Sequence, residues 1–556
     1  MSKPSAPVRR PSPGSRPNIL LVMTDQQRFD TIAALGNGLI RTPTLDRLCR
    51  EGTAFTHAYT PSPVCVAARS ALITGLAPHQ TGCVDNMPTP TGTTSLMQHL
   101  AAAGYQTHGV GKMHFTPDPN IAWGFESRDI SEEEHGPGDD YAEFLEANGY
   151  GHVTSPHGIR SELYYTPQPS QLPERLHHTR WVVDRSIDFL GRRDRARPFF
   201  LFSSFVKPHP PFENPTPWNH LYRGPDMPGP DTPADSAHYQ TYWNRVQNRY
   251  KYCDQGDDLR LQQNRQAAYY GCISFIDFQL GRLLQTLGDE IDNTLILFTS
   301  DHGEFLGDYG CVGKRSMLDA ACRVPMIARW PGGERPSQVV HTPTTLLDIL
   351  PTCLAAAQTE RTTGLRPDGR LYGRDLAKIA DGHEPDRIVT SQFQRGRYAQ
   401  YLAASREIKF WRSTPDRRDW ITRPAENDVP ELDVSYDPAQ EWAGRRLERW
   451  LASRLEADGY TEAVHGEHWV EYEPPAELHD RDESLIYQDP GRLHEDLARL
   501  GEAYCANLSP RFEAHKSRLN ASDPYRKPTK TPDIKVPPSR AHWSRVNGGP
   551  TANATS

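Results

Sequence analysis

The chain has 556 residues, enough for one large domain and a smaller one, and a formal net charge of −8. That balance argues against a protein that grips nucleic acid, since phosphate neutralisation needs clustered excess Lys and Arg, and leaves small molecules as the expected partners. Nine cysteines without a repeated spacing exclude a disulfide framework or a paired-cysteine metal site, and they fit buried thiols in the reducing cytoplasm.

Residues 1–16 carry prolines and basic residues but no apolar run of about 7–15 residues, so they read as a disordered start rather than a secretory signal. The first apolar run, "PNILLVMT" (17–24), predicts a buried strand and is far shorter than the roughly 20 residues of a membrane span. A helix follows over 43–51, opened by Thr42 and Pro43 and stopped by Gly52. Further helices are predicted over 65–75 and 94–104, then a strand "QTHGVG" (106–111), a helix over 178–192, and a strand "PFFLFSSFV" (198–206). The series closes with a helix over 263–287, the strand "NTLILFTS" (293–300) and a helix over 343–357. Buried strands alternating with helices predict an α/β fold, a parallel sheet covered on both faces, over residues 17–385.

Two stretches break the alternation: 116–177, with its acidic "SEEEHGPGDD", and 210–262, rich in Pro and Gly. They read as long excursions that shape a substrate mouth. Beyond residue 385 come strand-like "RYAQYLAAS" and "EIKFWRS" and a helical "GRLHEDLARLGEAYC" (491–505), which predict a smaller C-terminal α+β domain over 386–505. Residues 506–556 read as an extended tail that wraps a partner subunit in a homo-oligomer.

In open α/β sheets, ligands bind at the carboxyl ends of the strands. The residues just past the four predicted strands are Asp25 and Gln26, Lys112 and His114, Lys207 and His209, and Asp301 and His302. Singly each is an ordinary turn or cap residue. Jointly they bring oxygen and imidazole ligands suited to one divalent cation, Ca2+, Mg2+ or Mn2+, together with cations for an anionic substrate. Cys65 opens the helix after "PSPV", where unpaired amides lower a thiol pKa and attract anions, and Arg69 lies one turn on.

"CVAAR" (65–69) resembles the sulfatase signature C-x-P/A-x-R, whose cysteine is oxidised to formylglycine. "TDQQR", "ALITGLAPHQTG", "VGKMHF" and "SDHGEFLGDYGCVGKRSMLDAACRVPMIARWPG" are similar to the family's other blocks, in the family's order, and "ELHDRDESLIYQDP" resembles its C-terminal block. The resemblance implies an alkaline-phosphatase-like α/β/α sandwich. It also implies a cation held by Asp25, Gln26, Asp301, His302 and the formylglycine made from Cys65, with Arg69 steadying the hydrated aldehyde. Lys112, His114, His209 and Lys314 are then expected around the sulfate, with Asn86 on the substrate side. One hydroxyl of the hydrate attacks sulfur while His209 and Lys314 protonate the leaving alcohol; His114 then takes the second hydroxyl's proton, and sulfate is expelled.

The implied partners are a sulfate ester and a formylglycine-generating maturation enzyme, with no nucleic acid and no membrane. Many sulfatases have Asp-Asp and Asp-Asn where this chain has Asp25-Gln26 and Asp301-His302. The added imidazole keeps Mn2+ open beside Ca2+. The same two pairs occur in phosphonate monoester and phosphodiester hydrolases of the superfamily, the nearest rival reading, whereas Lys112 and His114 favour a sulfatase. A non-catalytic binding protein on the same fold is the third reading.

Overall fold

The structure, a computed structural model, describes residues 16–475 apart from 134–137, 161–163, 251–257, 334, 362–368, 370, 427–428 and 467. The stretch expected to be disordered up to residue 15, the helix expected at 491–505 and the tail at 506–556 lie outside the described residues.

The backbone is built on strands β1 (Asn18–Asp25), β2 (Thr53–Phe55), β3 (Gln106–Gly111), β4 (Ser127–Ile130), β5 (Phe199–Pro208), β6 (Thr294–Ser300), β7 (Met326–Arg329) and β8 (Gln338–Val340). Among the described residues they form one eight-stranded sheet in the order β8-β2-β7-β6-β1-β5-β3-β4. The four strands expected from sequence are its centre and run parallel. β7 pairs antiparallel with both β6 and β2, so the sheet is mixed rather than all-parallel. An antiparallel neighbour needs no crossover helix, and none of regular length intervenes between β6 and β7.

β1 is apolar from Ile19 to Met23 because both its faces are covered. Ile19, Leu21 and Met23 enter one core, and Leu20 and Val22 the other. The first core is closed by helices α1 (Cys65–Thr74), α2 (Leu96–Ala102) and α3 (Ile349–Ala356), through residues such as Leu72, Leu100 and Leu350. The second is closed by Pro43–Glu51, His178–Arg192 and the long helix Leu259–Leu287, through Leu48, Val182 and Leu280. The result is the expected α/β/α sandwich. The helix expected over 343–357 begins late, at Ile349, because Thr344 and Thr345 are taken up as strand and Thr345 and Asp348 form the capping box that opens the helical run.

The 116–177 excursion is not all coil. Ser127–Ile130 joins the sheet as its short, charged edge strand, which a hydrophobic pattern cannot flag. Asp139 then caps a helix over Asp140–Ala147. C-terminal to the sandwich, a five-stranded antiparallel sheet (Val389–Phe393, Gln400–Ala404, Lys409–Ser413, Arg418–Arg423, Leu432–Asp433) packs the helix Pro438–Ala457 around a core that includes Phe410, Ile421 and Leu451. It is stitched to the sandwich by buried Lys409, whose ammonium lies 2.5 Å from Asp319 and 2.8 Å from Glu431. Among the described residues no helix is long and apolar enough to cross a membrane.

Candidate active site

Parallel pairing places Thr24 opposite Ser300, so the residues that follow, Asp25 and Asp301, come abreast at the carboxyl edge. Gln26 turns the chain there with a left-handed φ of 67°, and its N–H donates to Asp301 Oδ1 at 3.0 Å. β3 delivers Lys112 through Gly111, whose φ is 82° and whose missing Cβ would stand 2.1 Å from the Ser204 carbonyl oxygen. Only glycine fits both conditions. Cys65 is the first residue of α1.

Asp25, Cys65, Asp301 and His302, all buried, bring one ligand atom each within 4.8 Å of one another. His302 Nδ1 lies 3.0 Å from the Gly303 carbonyl oxygen and so carries the proton, leaving Nε2 to face the Cys65 sulfur at 3.2 Å. Two buried carboxylates, a histidine lone pair and the Cys65 position are a donor set that fits a divalent cation. Gln26 is locked by its neighbours: Lys314 Nζ donates to Oε1 at 2.8 Å, and Nε2 donates to Glu304 and to the Tyr165 hydroxyl.

Arg69 underlies both carboxylates. It donates to Asp301 Oδ2 at 2.8 Å, Asp25 Oδ2 at 3.3 Å, the Lys112 carbonyl at 2.6 Å and Ser204 Oγ at 2.8 Å. These bonds make it the clamp that orients the acid pair, whereas sequence reasoning aims it at the nucleophile. Lys314 Nζ donates to the Cys65 sulfur at 2.9 Å, and Lys112 Nζ lies 2.6 Å from Asp25 Oδ2. His114, at φ 57°, hydrogen-bonds towards Cys65, and its Nδ1 finds no partner among the described residues. His209 Nδ1 lies 2.8 Å from the Pro210 carbonyl oxygen, so its Nε2 faces the site.

Burial raises the thiols of Cys49 and Cys272 to about 12. Burial pushes Cys65 the same way, but Lys314, Lys112 and His302 outweigh it and hold the thiol well below its ordinary value. Asp301 is pushed up by burial and by the charge of Asp25, against His302 and Arg69. Asp25 falls below the carboxylate range because Lys112, His209 and Lys314 overcome its burial. Burial, then Lys314, drives His209 well below the usual histidine value despite Asp25.

Lys207, at a strand end like the others, turns away: its ammonium is spent on the carbonyls of His157 (2.9 Å) and Pro211 (2.6 Å). Asn86 does not open towards a substrate through its oxygen, which accepts the Val66 N–H at 3.2 Å and so caps α1 from another loop, Val64 offering no side-chain cap. Asn86→Ala is therefore expected to lower stability by about 1 kcal/mol in urea unfolding, the usual worth of such a cap. An unchanged midpoint would show that the cap carries no weight. Sequence reasoning missed Glu304, Tyr165 and Glu133. The first two sit on loops whose relation to Gln26 is purely spatial, and Glu133 lies in the acidic run that composition marks only as solvated.

A family model described as Sulfatase matches residues 17–359. The chain is 34% identical to an arylsulfatase of Clostridium perfringens over 362 residues, 61% of this chain and 74% of that protein. It is 31% identical to the multifunctional alkaline phosphatase superfamily protein PehA of Trinickia caryophylli over 416 residues, 67% of this chain and 79% of that one. The crystal structure of the phosphonate monoester hydrolase of Agrobacterium radiobacter superposes with a TM-score of 0.69 at 24% identity, over 83% of this chain and all of that one.

Proposed function

Because the chain belongs to the sulfatase family, within the alkaline phosphatase superfamily, we propose that it hydrolyses sulfate monoesters through an aldehyde made from Cys65. The observation that carries this reading is the convergence of Cys65 with Asp25, Asp301 and His302 inside a ring of Lys112, Lys314, His114 and His209. Asp25, Gln26, Asp301, His302 and the converted Cys65 would hold the cation, Ca2+ first and Mn2+ as the alternative. Bound there, it supplies positive charge against the ester's oxygens and acidifies the nucleophile.

Cys65 Sγ stands where the hydroxyls of the hydrated aldehyde belong. Lys112 and Lys314 meet the anionic head and neutralise the charge that grows on it. His209 is held neutral in the free protein, mainly by its burial and by Lys314. An anion arriving between the two ammoniums offsets them and raises the proton affinity of Nε2, so that His209, with Lys314, can protonate the leaving alcohol. His114, whose ring hydrogen-bonds towards Cys65, is placed to take the proton whose loss releases sulfate. Arg69 keeps the two carboxylates fixed throughout, and a maturation enzyme that oxidises Cys65 is the implied partner.

A second reading, phosphonate monoester or phosphodiester hydrolysis, is supported by the Asp25-Gln26 and Asp301-His302 pairs and by the likeness in fold to the phosphonate monoester hydrolase of Agrobacterium radiobacter. The deciding experiment is turnover of aryl sulfate, alkyl sulfate, phosphonate monoester and phosphodiester side by side. The expected order puts aryl sulfate first in kcat/KM, with slower but measurable turnover of the two phosphorus esters. A phosphonate monoester in first place would hand the assignment to the second reading. No turnover of any ester by protein with Cys65 converted would leave only the non-catalytic one.

A further inference from the structure

Glu133 belongs to the acidic run of the first excursion, yet its carboxylate is inside the site and its side chain is only 11% exposed. Lys112 Nζ contacts Oε1, Arg160 Nη1 donates to Oε2 at 2.7 Å, and His209 Nε2 stands 3.6 Å from Oε1. Ligand atoms of Asp25, Cys65, Glu133 and His209 lie within 4.8 Å of one another. The position is fixed by the chain around it. Glu132 accepts the N–H groups of Met113 at 3.1 Å and His114 at 3.0 Å, and its own N–H donates to Asp139 at 3.2 Å. An anionic head that reaches Cys65 while touching Lys112 and His209 must therefore meet this carboxylate.

We propose that Glu133 is a specificity-determining residue that admits monoanionic esters and disfavours dianionic ones, an inference that rests on the hydrolase reading above. Repulsion between like charges scales with their product and is poorly screened in a buried site. Sulfate monoesters, phosphonate monoesters and phosphodiesters carry one negative charge. A phosphate monoester carries two above its second pKa of about 6, so Glu133 opposes it about twice as strongly. Lys112 relieves little of the difference, because its single charge is shared with two carboxylates, Asp25 and Glu133.

The test compares p-nitrophenyl phosphate with p-nitrophenyl sulfate, above that second pKa, in Glu133→Gln, Glu133→Ala and the charge-conserving Glu133→Asp. Removing the charge should raise the phosphate-to-sulfate ratio of kcat/KM by about ten-fold or more, and Glu133→Asp should leave the ratio close to that of the parent protein. Calorimetric titration of phenyl phosphate and phenyl sulfate into Cys65→Ala protein, with and without Glu133→Gln, gives the same comparison without turnover and should shift in the same direction. An unchanged ratio, or equal gains for both esters, would overturn the proposal. If the parent protein turns over neither ester, the hydrolase reading fails by itself, and the binding ratio still decides the role of Glu133.

Discussion

Replacing Asp301 by asparagine is expected to strip the protein of its divalent cation and to lower kcat/KM by about three orders of magnitude, with the fold retained. Asp301 is wholly buried and its two oxygens are already committed. Oδ1 accepts the N–H groups of Gln26 and His302, each at 3.0 Å, and Oδ2 accepts Arg69 Nε at 2.8 Å. An amide of the same shape keeps an acceptor for the backbone but loses the charge that, with Asp25, makes the pair attractive to a cation. Alanine goes further. It leaves the Arg69 guanidinium with Asp25 as its one acid partner among the described residues and two buried amides without their acceptor, so Asp301→Ala should also lose stability on the scale of a broken buried ion pair, about 3–5 kcal/mol. Metal analysis of dialysed protein, turnover and urea unfolding separate the two effects. Full metal content and full activity in the asparagine variant would sink the assignment of Asp25, Gln26, Asp301 and His302 as one cation site.

That pair also shows what can be read from a sequence. β1 and β6 announce themselves as apolar runs because both faces are buried, and a residue just past a parallel strand must emerge at the ligand-binding edge. The emergence of Asp25 and Asp301 at that edge is therefore legible in the sequence, and so is that of Lys112 and His209. Lys207 sits at the same kind of position and does otherwise, because which way a side chain turns past the strand depends on partners far away in sequence, here the carbonyls of His157 and Pro211. The placement of Asn86 was hidden for the same reason. A cap delivered across 20 residues leaves no local pattern, since the usual signal is a polar residue immediately before the helix and here that residue is Val64. The antiparallel strand Met326–Arg329 was invisible because a four-residue apolar strand carries no mark of its direction. Glu133 was hidden by composition: a run of acids reads as solvated surface until the fold sets a lysine, an arginine and a histidine around one of them.

Specific activity is expected to follow the fraction of Cys65 present as aldehyde, not the amount of protein. Left as a thiol, Cys65 is held well below its ordinary pKa, against its own burial, by Lys314, Lys112 and His302. In an unconverted site Lys314 stands 2.9 Å from the sulfur and favours the thiolate, which repels an incoming anion and takes up the ammonium meant to meet it. A thiolate is also a soft ligand among hard oxygens. It has one reactive atom, so a sulfate transferred to it has no second hydroxyl by which to leave. Ala67 fills the P/A position of the signature, and preparations that differ in aldehyde content should differ in activity in proportion. Mass spectrometry of the peptide containing Cys65, across samples made with and without a maturation enzyme, measures that fraction directly against turnover. Cys65→Ser offers a single hydroxyl. It should keep the cation, turn over at least about two orders of magnitude more slowly, and accumulate a sulfate ester on the introduced hydroxyl. Full specific activity from protein whose Cys65 is entirely thiol would overturn the aldehyde mechanism. It would leave the depressed thiol itself as the nucleophile, with Lys314 as the group that activates it.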